Sequence, residues 1–176
     1  MLKLRKNKKG FTLVELIVVI AIMAVLAGVV AGVTVSQLNK QTDKTGATQA
    51  NTVASFISEN ALTGDEEATQ IVKSISVTTG TGDTATTTDK NVFIVKKVKD
   101  LITAQYTAAS IPVENANNNT IGDKKGQVYI TFGSVTGTGD DATADTVIVT
   151  YKPKASGTKT TTFTIDADGV VTKTEA

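Results

Sequence analysis

The stretch Lys8-Lys9-Gly10-Phe11-Thr12-Leu13-Val14-Glu15-Leu16-Ile17-Val18-Val19-Ile20 sets the architecture of this chain, because it turns from cationic to apolar at Gly10. The apolar character persists, and from Leu16 to Val35 there are 20 residues without a charge. As an α-helix rising 1.5 Å per residue, such a run extends about 30 Å, one hydrocarbon core. A core helix of a soluble domain keeps a polar face, and this run has none. The segment is therefore expected to enter a membrane. Five of the 18 basic residues (Lys3, Arg5, Lys6, Lys8 and Lys9) lie on its N-terminal flank. The positive-inside rule then keeps residues 1–10 in the cytoplasm and sends the rest outward.

An ordinary secretory signal shares the basic start, but its apolar region is shorter and is closed by a small-residue cleavage site. Here Ala27-Gly28 and Ala31-Gly32 are embedded in the run rather than placed after it. Glu15 stands at the entrance to the apolar stretch. A carboxylate inside a membrane helix costs about 2.5–3.5 kcal/mol on insertion scales, so an acid in this place points to function.

The chain has 176 residues, 18 Lys and Arg against 17 Asp and Glu, a net charge of +1, and no Cys, His or Trp. Thiolate or imidazole nucleophiles, disulfides and the commonest zinc ligands are thereby removed. Neither the balanced charge nor the scattered aromatic residues make a nucleic-acid surface. No cofactor and no metal are expected. Asp166-Ala167-Asp168-Gly169 could open a calcium loop, but the glutamate such a loop needs at its twelfth position is missing. The repeated TGTGD strings at Gly80-Thr81-Gly82 and Gly137-Thr138-Gly139 lack the spacing of a nucleotide-binding loop and read as turns.

The string Lys8-Lys9-Gly10-Phe11-Thr12-Leu13-Val14-Glu15 resembles the leader junction of type IV prepilins and their pseudopilin relatives. The resemblance covers about the first 35 residues, and the absence of Cys is similar to pilins of Gram-positive bacteria. It implies cleavage after Gly10 by a membrane prepilin peptidase that also N-methylates Phe11, while the apolar segment is retained. It implies further that Glu15 meets the Phe11 amine of a neighbouring subunit in a filament. Phe11 and Glu15 are four apart, so within one helix they would share a face. The partners implied are other copies of the subunit, the peptidase, the pilus assembly machinery and the cytoplasmic membrane. The destination implied is an extracellular filament. Gly28-Val29-Val30-Ala31-Gly32 is a G-x-x-x-G pattern, which lets membrane helices approach closely. Gly28 and Gly32 also weaken the helix by about 1 kcal/mol each relative to Ala, and so mark a place where it melts during assembly.

Past Val35 the composition turns polar while a helical period continues. Ala50, Val53, Ala54, Ile57 and Ala61 form one stripe, and Thr63-Gly64 reads as the stop. The long helix Phe11–Leu62 would then hold 52 residues, about 78 Å of rod, with Gly46 a weak spot able to bend it. Asp65-Glu66-Glu67 followed by Ile71, Val72 and Ile75 suggests a short helix, Thr78–Lys90 a surface loop, and Val92–Tyr106 a second amphipathic helix. Asn115–Asn119 reads as loop, and Asn118-Asn119-Thr120 is a glycosylation sequon. From Gln127 the period becomes two through Val128/Ile130/Phe132, Val147/Val149/Tyr151, Phe163/Ile165 and Val170 onward.

The expected fold is thus α+β: a long N-terminal helix packed on a C-terminal antiparallel sheet of about four strands, the pilin-like plan. The segments are a cleaved leader (1–10), an apolar transmembrane and filament-core helix (11–35) and an amphipathic half-helix (36–62). A connecting region (63–110) and a sheet headgroup (111–176) follow. The function expected is a structural, non-enzymatic subunit of a type IV pilus, a major pilin; the alternative is a pseudopilin of a type II secretion or competence system.

Overall fold

The computed structural model describes residues 10–63, 70–82, 85–106, 111 and 124–176. The leader residues 1–9, the acidic run Asp65-Glu66-Glu67 and the Asn115–Asn119 segment with its sequon lie outside the described residues. The chain divides into two compact units, Met1–Asn39 and Lys40–Ala176. Helix α1 (Leu13–Thr63) contributes to both. Within the first unit the helix is long and apolar enough to cross a membrane, and its apolar side chains stand exposed from Leu13 to Leu38.

The second unit is an α+β sandwich of the later part of α1 against an antiparallel sheet. Its elements are β1 (Val72–Thr79), β2 (Thr86–Ile94), α2 (Val95–Gln105), β3 (Gln127–Thr136), β4 (Thr143–Lys152), β5 (Thr161–Asp166) and β6 (Val171–Glu175). The expected stripe is the face that packs: Ala50, Val53, Ala54 and Ile57 are fully buried, with Ala61 partly so. They meet the apolar alternation of the sheet, Val128, Ile130 and Phe132 on β3, Val147, Val149 and Tyr151 on β4, and Phe163 and Ile165 on β5. Val98 and Ile102 close the core from α2. Small residues on the helix stripe allow the close approach that larger side chains from the strands then fill.

The sheet has six strands rather than four. The last four are those the period of two marks out. The two additional strands come from the segment expected to hold a short helix and a loop. Val72–Thr79 pairs antiparallel with Thr86–Phe93, so Ile75 faces Lys90 and Thr78 faces Thr87. β-Branched Val, Ile and Thr alternating with Ser favour a strand over a helix, and that local preference outweighs the acids before it. Gly80 and Gly82 follow β1 at positive φ, as Gly137 and Gly139 follow β3, so the glycines of both TGTGD strings take turn conformations. The expected second helix is shorter than Val92–Tyr106, because Val92, Phe93 and Ile94 finish β2: Val92 pairs with Lys73, and Phe93 and Ile94 pair with Ala144 and Thr143. β4 is the centre of the sheet: β3 lines one side, while β2 and β5 take successive parts of the other.

The helix runs through Gly46 without interruption. Gly46 is buried, and a Cβ built there would be driven into the Tyr151 ring. The glycine is a seat for an aromatic ring rather than a bend. Ala at an exposed helix position would gain about 1 kcal/mol over Gly. Overpacking a fixed ring costs about 1–3 kcal/mol, so the clash reverses the sign. Gly46→Ala is expected to lower the thermal unfolding midpoint of the detergent-solubilised chain, and an unchanged or raised midpoint would show that the ring moves freely.

Candidate functional site

Gly10, Phe11 and Thr12 precede the helix, which begins at Leu13. Thr12 caps it. The Thr12 Oγ1 accepts the Glu15 N–H at 3.3 Å, and the Glu15 carboxylate accepts the Thr12 N–H at 2.8 Å and its hydroxyl at 2.7 Å. This reciprocal arrangement is a capping box, Thr-x-x-Glu, satisfying two backbone donors that a helix start otherwise leaves open. The first backbone bond of the helix, from the Leu16 N–H to the Thr12 carbonyl, follows at 3.3 Å. Sequence reasoning missed this role of Glu15, although the Thr-x-x-Glu spacing ahead of an apolar run was its signal.

The cap also corrects the expected geometry of Phe11 and Glu15. Phe11 lies before the first helical turn, so the two do not share a helix face, and within one chain Glu15 bonds Thr12. The Phe11 side chain is 91 % exposed. A Cβ at Gly10 would meet nothing within 4 Å, and its φ is not positive. Among the described residues nothing requires glycine at position 10. The same open space surrounds Gly28 and Gly32, and α1 passes through both as regular helix.

A second polar cluster ties α1 to the sheet. Asp43 is 5 % exposed in the middle of the helix. Its carboxylate accepts the Tyr151 hydroxyl at 2.9 Å and the backbone N–H groups of Lys154 and Ala155 at 2.7 and 2.9 Å. Burial pushes this carboxyl up. The two backbone bonds, the tyrosine hydroxyl and the nearby Lys154 charge outweigh burial and hold it below its ordinary value. Burial, with the bond to Asp43 and its charge, pushes the Tyr151 phenol well above its own.

The carboxylates of the suggested calcium loop serve the hairpin instead. Asp166 Oδ1 accepts the N–H groups of Asp168 and Val170 at 3.1 and 2.8 Å, and Asp168 Oδ1 accepts Asn91 Nδ2 at 2.8 Å. Gly169, at φ +80°, completes the turn. Among the described residues no group of three or more acids is placed to hold a metal ion.

The fold and this helix entrance together define an α+β protein with an exposed apolar N-terminal helix, capped at the residue after Phe11. Residues 5–31 match the family described as the prokaryotic N-terminal methylation motif. The chain thus carries the N-terminal signature of type IV prepilins, the motif of pilin-like and pseudopilin substrates of the prepilin peptidase. No match to the chain was found among curated proteins or among solved structures.

Proposed function

We propose that the chain is a major subunit of a type IV pilus, cleaved after Gly10, methylated on Phe11 and polymerised through the apolar part of α1. The observation that carries this reading is the pairing of the methylation motif with a helix whose apolar side chains are exposed along its whole first unit. Exposed apolar surface of this extent needs a cover, and its burial contributes roughly 25 cal/mol per Å². Lipid supplies the cover before assembly, and the helices of neighbouring subunits supply it afterwards. Among the described residues nothing demands glycine at position 10, which supports an outside reader, and the active site of a peptidase is such a reader. Cleavage there leaves a cationic amine on Phe11 next to the capping box, available to the Glu15 of another subunit. The basic flank of residues 1–10 supports an N-in orientation in the cytoplasmic membrane, with the second unit outside. On this reading the chain performs no catalysis and its partners are other copies, the peptidase and the assembly machinery.

The experiment is an intact mass, with the N-terminal residue, of the subunit in filaments sheared from the cell surface. The expected chain begins at methylated Phe11. Gly10→Leu is expected to accumulate as precursor in the membrane, because a site shaped for glycine excludes a branched side chain; normal processing of that variant removes the leader assignment. A wild-type chain that is processed but absent from the sheared fraction replaces the pilus reading with the pseudopilin one.

A further inference from the structure

A cleft with a volume of ≈ 450 Å³ opens in the second unit beside α1, between the helix and the end of the sheet. Lys40, Asp43 and Lys44 line it from the helix, and Thr158, Lys159 and Glu175 line it from the sheet side. Its two carboxylates are already engaged. Asp43 accepts the Tyr151 hydroxyl and two backbone N–H groups and keeps its negative charge, and Glu175 is ion-paired with Lys173 at 2.5 Å. Lys40, Lys44 and Lys159 are exposed at the cleft, and among the described residues none makes a salt bridge; Lys159 acts on Glu175 only through its more distant charge. Lys40 and Lys44 are four apart and share a helix face. With Glu175 paired by Lys173, three ammonium groups stand against the single charge of Asp43, so the cleft is net cationic at its mouth, with a hydroxyl, Thr158, among its walls.

We propose that this cleft binds the phosphate of an anionic phospholipid headgroup in the membrane that holds the precursor. The inference rests on the reading of the apolar run as a membrane span. Connectivity then supplies the ligand. Lys40 follows Val35 by only five residues, and even a fully extended chain spans no more than about 3.6 Å per residue, so Lys40 stays within about 18 Å of the run's end. Lipid phosphates are at high local concentration in that layer. Ammonium groups offer point charges rather than a shaped fork, so the cleft selects for net negative charge, not for one headgroup. Phosphatidylglycerol fits, whereas the trimethylammonium of phosphatidylcholine brings a cation against three others. The consequence is a second unit held down on the bilayer until extraction into a filament replaces the lipid.

The test uses the full chain in detergent, with bound lipid counted by native mass spectrometry after addition of phosphatidylglycerol or phosphatidylcholine. Wild type is expected to retain phosphatidylglycerol preferentially. The combined K40Q, K44Q and K159Q variant should lose at least fivefold of that retention, and the corresponding Arg variant should keep it. A variant carrying K73Q, K124Q and K125Q removes the same charge elsewhere and should behave as wild type, with the basic residues 1–9 intact in all. Equal retention by the first Gln variant, equal loss in the second, or displacement of the lipid by an equal concentration of inorganic phosphate overturns the proposal. Alkaline extraction of cell membranes reads the anchor separately: chain released by alkali would mean the span itself is wrong, not the cleft.

Discussion

Glu15→Gln is expected to yield a chain that is processed normally but assembles at least tenfold fewer filaments. Two roles meet at this residue. In the chain itself, the carboxylate completes the capping box with Thr12. In the proposed filament it neutralises the Phe11 amine of another subunit. Gln retains a carbonyl oxygen to accept the Thr12 N–H, so the cap survives in weakened form, while the charge is gone. An amine left uncompensated in apolar surroundings costs roughly 3–5 kcal/mol per contact, which a repeating assembly cannot absorb. The complementary variant is Thr12→Ala, which removes the cap at a cost of about 0.5–2 kcal/mol and leaves the charge in place. Filament counts by electron microscopy separate the two: pairing predicts that the Thr12 variant assembles and the Glu15 variant does not. The reverse order would falsify the charge-pairing account and assign Glu15 to helix initiation alone.

Asp43→Ala is expected to destabilise the second unit as strongly as truncating a fully buried core side chain. It strands the Tyr151 hydroxyl and the N–H groups of Lys154 and Ala155, all of which aim at one carboxylate. Hydrogen bonds to a charged group contribute about 1.5–3 kcal/mol each and are not additive, so a loss on the order of 3–5 kcal/mol is expected. Against a total stability of about 5–15 kcal/mol, that is enough to unfold a substantial fraction at growth temperature. Denaturant unfolding of the detergent-solubilised chain measures it, and a loss under 1 kcal/mol, on the order of a neutral surface bond, would remove the latch from the account.

The pH dependence follows from the same cluster. The folded Asp43 carboxyl lies below its ordinary value, so its contribution is complete above an unfolded value of about 3.9 and declines as pH falls from there through the folded value. The Tyr151 phenol lies above its ordinary value, so its contribution is complete below about pH 10 and is lost as the unfolded phenol ionises above it. Asp43→Ala should flatten the acid limb of the stability profile and reduce the alkaline one.

The membrane segment, the methylation motif, the buried helix stripe and four of the strands were legible because each is a local pattern. An uncharged run, a period of 3.6 and a period of 2 declare themselves within a dozen residues, whatever they pack against. The cap at Thr12 and Glu15 was equally local, and was passed over because the pairing of Glu15 with Phe11 claimed the same residue. The antiparallel pair β1–β2 was harder, since its Thr-rich composition suits a loop until a facing strand supplies its register.

Tertiary structure alone decided the rest. Asp43 looks like any solvated acid on a polar helix, and Gly46 like a flaw in it. Their partners, Tyr151, Lys154 and Ala155, lie more than 100 residues further along the chain. A carboxylate becomes a latch, and a glycine a seat, only when the end of β4 is laid across the helix. Likewise Lys40, Lys44 and Lys159 come to one cleft only when the helix and the sheet pack together. Sequence determines what each segment is able to form, because propensity and periodicity act between neighbours. Which polar groups find a buried partner, as Asp43 does, is settled by contacts between distant segments, and no local pattern records them.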